Sequence, residues 1–124
     1  MSEMRIPSLN RVLLAGRLTR DPELRYTPNG KAVCRFSLAV NRRHKDQSGS
    51  WVDDTTYITI VAWQEAAEAA GKRLKKGSPV LVEGRLESRA WENEAGQKKT
   101  LFEIRADNLE FLETSGQRPT PDHT

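Results

Sequence analysis

Apolar residues return at every second position over five stretches of this chain, the spacing of strands that bury one face. Over residues 10–18, Val12, Leu14, Gly16 and Leu18 share a side, and Arg11 and Arg17 take the other. From Ala32, an inward set of Cys34, Phe36, Leu38 and Val40 alternates with Val33, Arg35, Ser37 and Ala39. Residues 56–63 set Ile58, Ile60 and Ala62 against Tyr57, Thr59, Val61 and Trp63. After a turn at Gly77-Ser78, Val80, Val82, Gly84 and Leu86 oppose Leu81, Glu83, Arg85, Glu87, Arg89 and Trp91. Residues 100–111 are expected to bury Phe102, Ile104 and Ala106 and then to change phase to Leu109 and Phe111. That change predicts a bulge near Asp107-Asn108. Residues 64–74 have a different period: Ala66, Ala67, Ala70 and Leu74 form a narrow helical stripe, weakened near its end by Gly71.

The intervening segments read as turns. Asp21-Pro22 and Thr27-Pro28-Asn29-Gly30 carry turn residues, and residues 92–99 read as a hairpin loop with Gly96 near its tip. Residues 41–54 are polar and contain Gly and Ser, which predicts a long, mobile loop. Three strands, one short helix and two further strands is the order of an OB-fold, a five-stranded Greek-key barrel. The expectation is an all-β domain with one short helix over residues 1–112. Residues 113–124 have no apolar period and are expected to form a disordered tail.

The candidate chemistry lies on the outward positions. Tyr57, Trp63 and Trp91 fall on solvent faces, and Trp51 sits in the basic segment with Arg42, Arg43, His44 and Lys45. One outward tryptophan usually covers a hydrophobic edge or a subunit contact. Three outward aromatics beside Arg25, Arg85, Arg89 and the Lys72–Arg73–Lys75–Lys76 cluster point instead to bases stacked on rings, with guanidinium and ammonium groups on the phosphates. Arg11, Arg17 and Arg35 alternate outward on neighbouring strands, which extends the cationic surface. Net charge is only +3, and the excess is uneven. Residues 1–62 hold ten Lys/Arg against six Asp/Glu, residues 63–112 nine against nine, and residues 113–124 one against two. Charge permits a nucleic-acid partner without establishing one.

Other classes find little support. No apolar run is long enough to cross a bilayer, and the N-terminal residues lack a secretory h-region, so the cytoplasm is the expected location. Cys34 is the only cysteine and lies on an inward position, an inert core thiol rather than a nucleophile. There is no Gly-rich phosphate loop, nucleophile elbow or metal-ligand spacing. His44 and His123 have no second ligand nearby, and the Asp53-Asp54 pair is expected to be solvated. The reading is a binding protein and not an enzyme.

Three segments carry a resemblance: NRVLLAGRLTRDPELRYTPNGKAVCRFSLAV (10–40), TTYITIVAW (55–63) and KKGSPVLVEGRLESRAW (75–91). Over residues 8–112 the chain resembles the bacterial single-stranded DNA-binding protein family. The resemblance implies the OB barrel, sequence-independent binding of single strands in replication, recombination and repair, no cofactor, and a nucleoid-associated homotetramer, with a dimer as the alternative. By position it implies stacking at Tyr57, Trp63 and Trp91 and basic contacts at Arg11, Arg25, Lys76 and Arg89. A further stacking tryptophan of the family falls at His44, where imidazole stacks less well than indole, with Trp51 of the same segment as the alternative. Two basic positions are Thr59 and Glu65, which should lower the electrostatic term, and Ile58 falls near a dimer contact. The family's acidic tail tip ending in Pro-Phe is replaced by PTPDHT, so recruitment of replication and repair proteins is left open. The full candidate set for single-stranded DNA is Arg11, Arg17, Arg25, Arg35, Arg42, Arg43, His44, Trp51, Tyr57, Trp63, Lys75, Lys76, Arg85, Arg89 and Trp91. The alternatives are a primosome-type accessory protein on the same barrel, or an OB domain whose aromatic face meets protein.

Overall fold

A computed structural model describes residues 4–112; the expected tail at 113–124 lies outside the described residues. The alternating stretches become β1 (Val12–Leu18), β3 (Ala32–Lys45), β4 (Trp51–Trp63), β5 (Pro79–Glu92) and β6 (Lys98–Phe111). A short β2 (Glu23–Tyr26) follows β1, and α1 (Gln64–Arg73) joins β4 to β5. The strands lie in the order β1-β5-β6-β4-β3, and β1 pairs back onto β3 through Arg17↔Ala39 and Leu18↔Leu38. That pairing closes a five-stranded barrel, the expected OB architecture, and leaves β2 as an addition to the edge of β3. β2 escapes the periodicity because all four of its residues are exposed, so no alternation marks it.

The inward sets meet as predicted in the barrel centre. Cys34, Leu38, Ile60, Val80 and Val82 are fully buried, and Ala67, Ala70 and Leu74 bring the helix onto this core. Small side chains let α1 sit close, which is why its stripe is alanine-rich. β1 and β5 approach other strands where they carry glycine. A Cβ on Gly16 would lie 2.2 Å from the carbonyl oxygen of Ala39, and one on Gly84 would lie 2.1 Å from that of Arg105. The phase change in β6 is a bulge. Glu83 pairs with Asn108 and Gly84 with Ala106, so Asp107 is skipped.

Three expectations fail, the first two for one reason. Residues 41–54 are not a loop: β3 and β4 stay in register out to Lys45↔Trp51 and form a projecting arm. β5 and β6 likewise run beyond the barrel to Glu92↔Lys98. An arm has no buried face, so a polar segment can still pair through its backbone, and apolar residues on it can remain exposed. Leu86 and Phe102, expected inside, are 46% and 55% exposed. Asn10 secures the second arm where β1 gives out, its side-chain amide bonding both the N–H and the C=O of Leu86 at 2.9 and 2.8 Å. Val61, expected outward, is buried between its register partners Arg35 and Arg105.

Both arms end in the same turn. Asp46 accepts the N–H groups of Ser48 and Ser50, and Asn93 those of Ala95 and Gln97, each through its Oδ1. Gly49 and Gly96 supply the positive φ that closes each turn. The hairpin loop expected at 92–99 therefore narrows to residues 93–97.

Candidate nucleic-acid interface

Odd-numbered residues of β3, β4 and β5, and those of β6 before its bulge, share one outer face of the barrel, and the register places them in rows. One row runs Glu23, Arg35, Val61, Arg105 and Arg85 across β2, β3, β4, β6 and β5. A second runs Ser37, Thr59, Glu103 and Glu87, and a third joins Arg25, Val33 and Trp63. Arg89 and Trp91 extend the face along the β5–β6 arm opposite Leu101 and Lys99. The face is concave. A hollow of about 570 Å³ is lined by Arg20, Arg35, Arg89, Glu103, Ser37 and Thr59 among others, and Trp63 lines two adjoining clefts with Arg35, Arg85, Arg89 and Arg105.

Each tryptophan has cationic company. The Arg105 guanidinium lies 5.4 Å from the Trp63 ring centre and that of Arg89 5.9 Å from Trp91. Arg43 and Lys45 each stand 5.3 Å from Trp51. Trp51, Tyr57 and Trp91 are exposed and Trp63 is half-buried, so the rings are available to a planar partner. Most arginines of this surface are also ion-paired with carboxylates: Arg11 with Glu83, Arg25 with Glu23, Arg85 with Glu87, and both Arg35 and Arg89 with Glu103.

The predicted residues divide into groups. Arg25, Arg35, Trp63, Arg85, Arg89 and Trp91 come together on the sheet face, and Tyr57 continues it along β4. Arg43 and Trp51 share the parity of Tyr57 and carry the face onto the β3–β4 arm. Arg42 and His44 are on the reverse side of that arm, 3.4 and 3.5 Å from the Asp54 carboxylate. Of His44 and Trp51, only Trp51 has the side shared with Tyr57 and Trp63. Arg11, just before β1, and Arg17 within it line none of these hollows, and Arg17 donates to the Gly77 carbonyl. Lys75 and Lys76 line a separate groove with Arg73 and Phe111.

Arg105 and Glu103 went unrecognised in the sequence, although alternation with Ile104 and Ala106 already put them outside. Asp53 and Asp54 point to opposite sides of the arm and face Arg43 and Arg42, so they do not converge on a cation. Cys34 is buried in the core, where desolvation pushes its thiol up to about 11. Among the described residues no helix is long and apolar enough to cross a membrane.

Residues 9–112 match the single-strand binding protein family. The chain is 52% identical over 105 residues to single-stranded DNA-binding protein A of Bacillus subtilis, covering 85% of this chain and 60% of that one. It is 44% identical over 116 residues to the single-stranded DNA-binding protein of Neisseria meningitidis, covering 90% of this chain and 67% of the relative. The fold superposes on a deletion mutant of the Thermus aquaticus single-stranded DNA-binding protein with a TM-score of 0.78 at 40% identity, covering 87% of this chain and 52% of that one. It superposes on the Plasmodium falciparum SSB in its complex with ssDNA with a TM-score of 0.79 at 32% identity, over 89% of this chain and all of that one.

Proposed function

The chain belongs to the single-strand binding protein family, and from that premise we propose that it binds and shields single-stranded DNA without regard to sequence. The observation that carries this reading is the sheet face itself, where Trp63 and Trp91 stand among Arg35, Arg85, Arg89 and Arg105. Every base has a π-face, so rings set beside guanidinium groups hold a strand whatever its sequence. Tyr57 and Trp51 extend the stacking path along the β3–β4 arm, with Arg43 and Lys45 for the phosphates. Binding alone, with no turnover and no cofactor, is the activity, and it would serve replication, recombination and repair. Lys75, Lys76, Arg11 and Arg17 are outer contacts that a strand reaches only by wrapping past the central face.

Wrapping fits a homotetramer. Leu13 on β1 and Leu86 and Phe102 on the second arm are exposed apolar side chains that neighbouring barrels would cover. Ile58 contributes less, because it packs against the protein's own core. The chain spans 60% of the length of the Bacillus subtilis relative, so recruitment of other proteins is a property to be tested on the longer protein.

Titration with oligo-dT at low and high salt, followed by tryptophan fluorescence, tests the reading. Quenching that saturates at a fixed number of nucleotides and weakens in salt supports it. An absence of quenching and binding at low salt would assign the aromatic face to protein contacts instead.

A further inference from the structure

The sheet face is less positive than its arginines suggest. Arg35 from β3 and Arg89 from β5 both donate to one oxygen, Oε2, of Glu103 on β6, Arg35 through Nη1 and Arg89 through Nη2 at 3.3 Å. The Glu103 side chain is 9% exposed, whereas Arg35 and Arg89 keep 38% and 53% of theirs in solvent. Arg20, Asp21 and Glu23 are the other charged groups around this hollow. Glu23 is paired with Arg25, and the neighbouring Glu87 with Arg85, whereas Arg35 and Arg89 are paired with Glu103.

A buried carboxylate stripped of its cations is strongly destabilising, because the remaining charge has neither solvent nor partner. A phosphate arriving at this face therefore cannot remove both guanidinium groups from Glu103. It has to share them, through N–H donors left over from the five that each arginine carries. The cluster of two cations and one anion then meets the strand as a single positive charge.

We propose that Glu103 is a positioning residue that holds Arg35 and Arg89 side by side on the stacking face and cancels one of their charges, thereby setting the salt dependence of DNA binding. The inference rests on the single-stranded DNA reading above. Its consequence is a strand gripped mainly by stacking at the centre of the face, with less of the affinity lost as salt rises.

The test is the slope of log K against log salt for oligo-dT, with a thermal melt of each variant. Each phosphate neutralised on a single strand contributes about 0.7 to that slope. Glu103→Gln is expected to steepen it by about 0.7, roughly a five-fold greater loss of affinity across a ten-fold rise in salt. Arg35→Ala is expected to make it shallower by about 0.7, and the double variant to restore the wild-type slope. If Glu103→Gln alone fails to fold, Arg35→Ala against the double variant makes the same comparison. An unchanged slope in Glu103→Gln, or a double variant that behaves like Arg35→Ala, overturns the proposal, including when the melting temperature moves. Failure of the wild-type protein to bind oligo-dT refutes the underlying reading and this inference together.

Discussion

Replacing Trp63 by alanine separates stacking from charge at the centre of the face. The indole is half-buried at the end of β4, beside Val33 in register and with the Arg105 guanidinium 5.4 Å from its ring centre. Loss of one stacked base removes about 1–3 kcal/mol of binding, or roughly a 5- to 150-fold rise in Kd. The same change also costs stability. A fully buried aromatic truncated to alanine costs about 3–5 kcal/mol, so a half-buried one costs roughly 2, with the cation–π contact adding about 0.5–1. At about 4–8 °C per kcal/mol for a domain near this size, Tm should fall by roughly 10–20 °C. Binding is therefore compared well below both melting temperatures, by anisotropy of a labelled dT oligonucleotide over a series of salt concentrations. Stacking involves no counterion, so the log K line should drop in parallel with unchanged slope. Trp63→Phe, which keeps a ring, should recover most of the affinity. A folded Trp63→Ala that binds within about two-fold of wild type would refute the stacking role, since one base is worth at least about 1 kcal/mol.

Two further predictions concern the scaffold. Gly84→Ala puts a Cβ 2.1 Å from the Arg105 carbonyl oxygen, backbone that moves only with the β5–β6 ladder, and should cost about 1–3 kcal/mol or more. Gly71→Ala meets only the Leu24 side chain at 2.9 Å in a helix that favours alanine by about 1 kcal/mol, so its melting temperature should be equal or higher; equal melting of the two variants would contradict this. Burial raises the Cys34 thiol from 9.0 to about 11, so the unfolded chain loses this proton before the native one does. The corresponding stability is intact below the unfolded value and is lost as pH rises toward the folded one; Cys34→Ala should flatten that alkaline decline in urea midpoints between about pH 8 and about pH 10.5.

The inward residues of this barrel were legible because burial on one side of a strand leaves a two-residue period. Cys34, Phe36 and Leu38, Ile60 and Ala62, and Val80 and Val82 all sit where that period put them. The slip of phase in β6 was legible for the same reason, and it is the bulge at Asp107. β2 and the outer half of the first arm left no such trace, because strands with no buried face are held by backbone hydrogen bonds that any polar sequence can make. Leu86 and Phe102 kept the inward phase in sequence and yet lie exposed, since the alternation does not record where the core ends.

The candidate site divides along the same line. Alternation along each strand was enough to place Trp63, Trp91, Arg35, Arg85 and Arg89 outside. That Arg35 and Arg89 converge on Glu103, that Arg105 faces Trp63, and that His44 and Trp51 take opposite sides of an arm were decided by the register between strands. Side-chain period is a property of one strand and can be read along it, whereas register arises from the pairing of backbones distant in sequence and exists only once the barrel has closed.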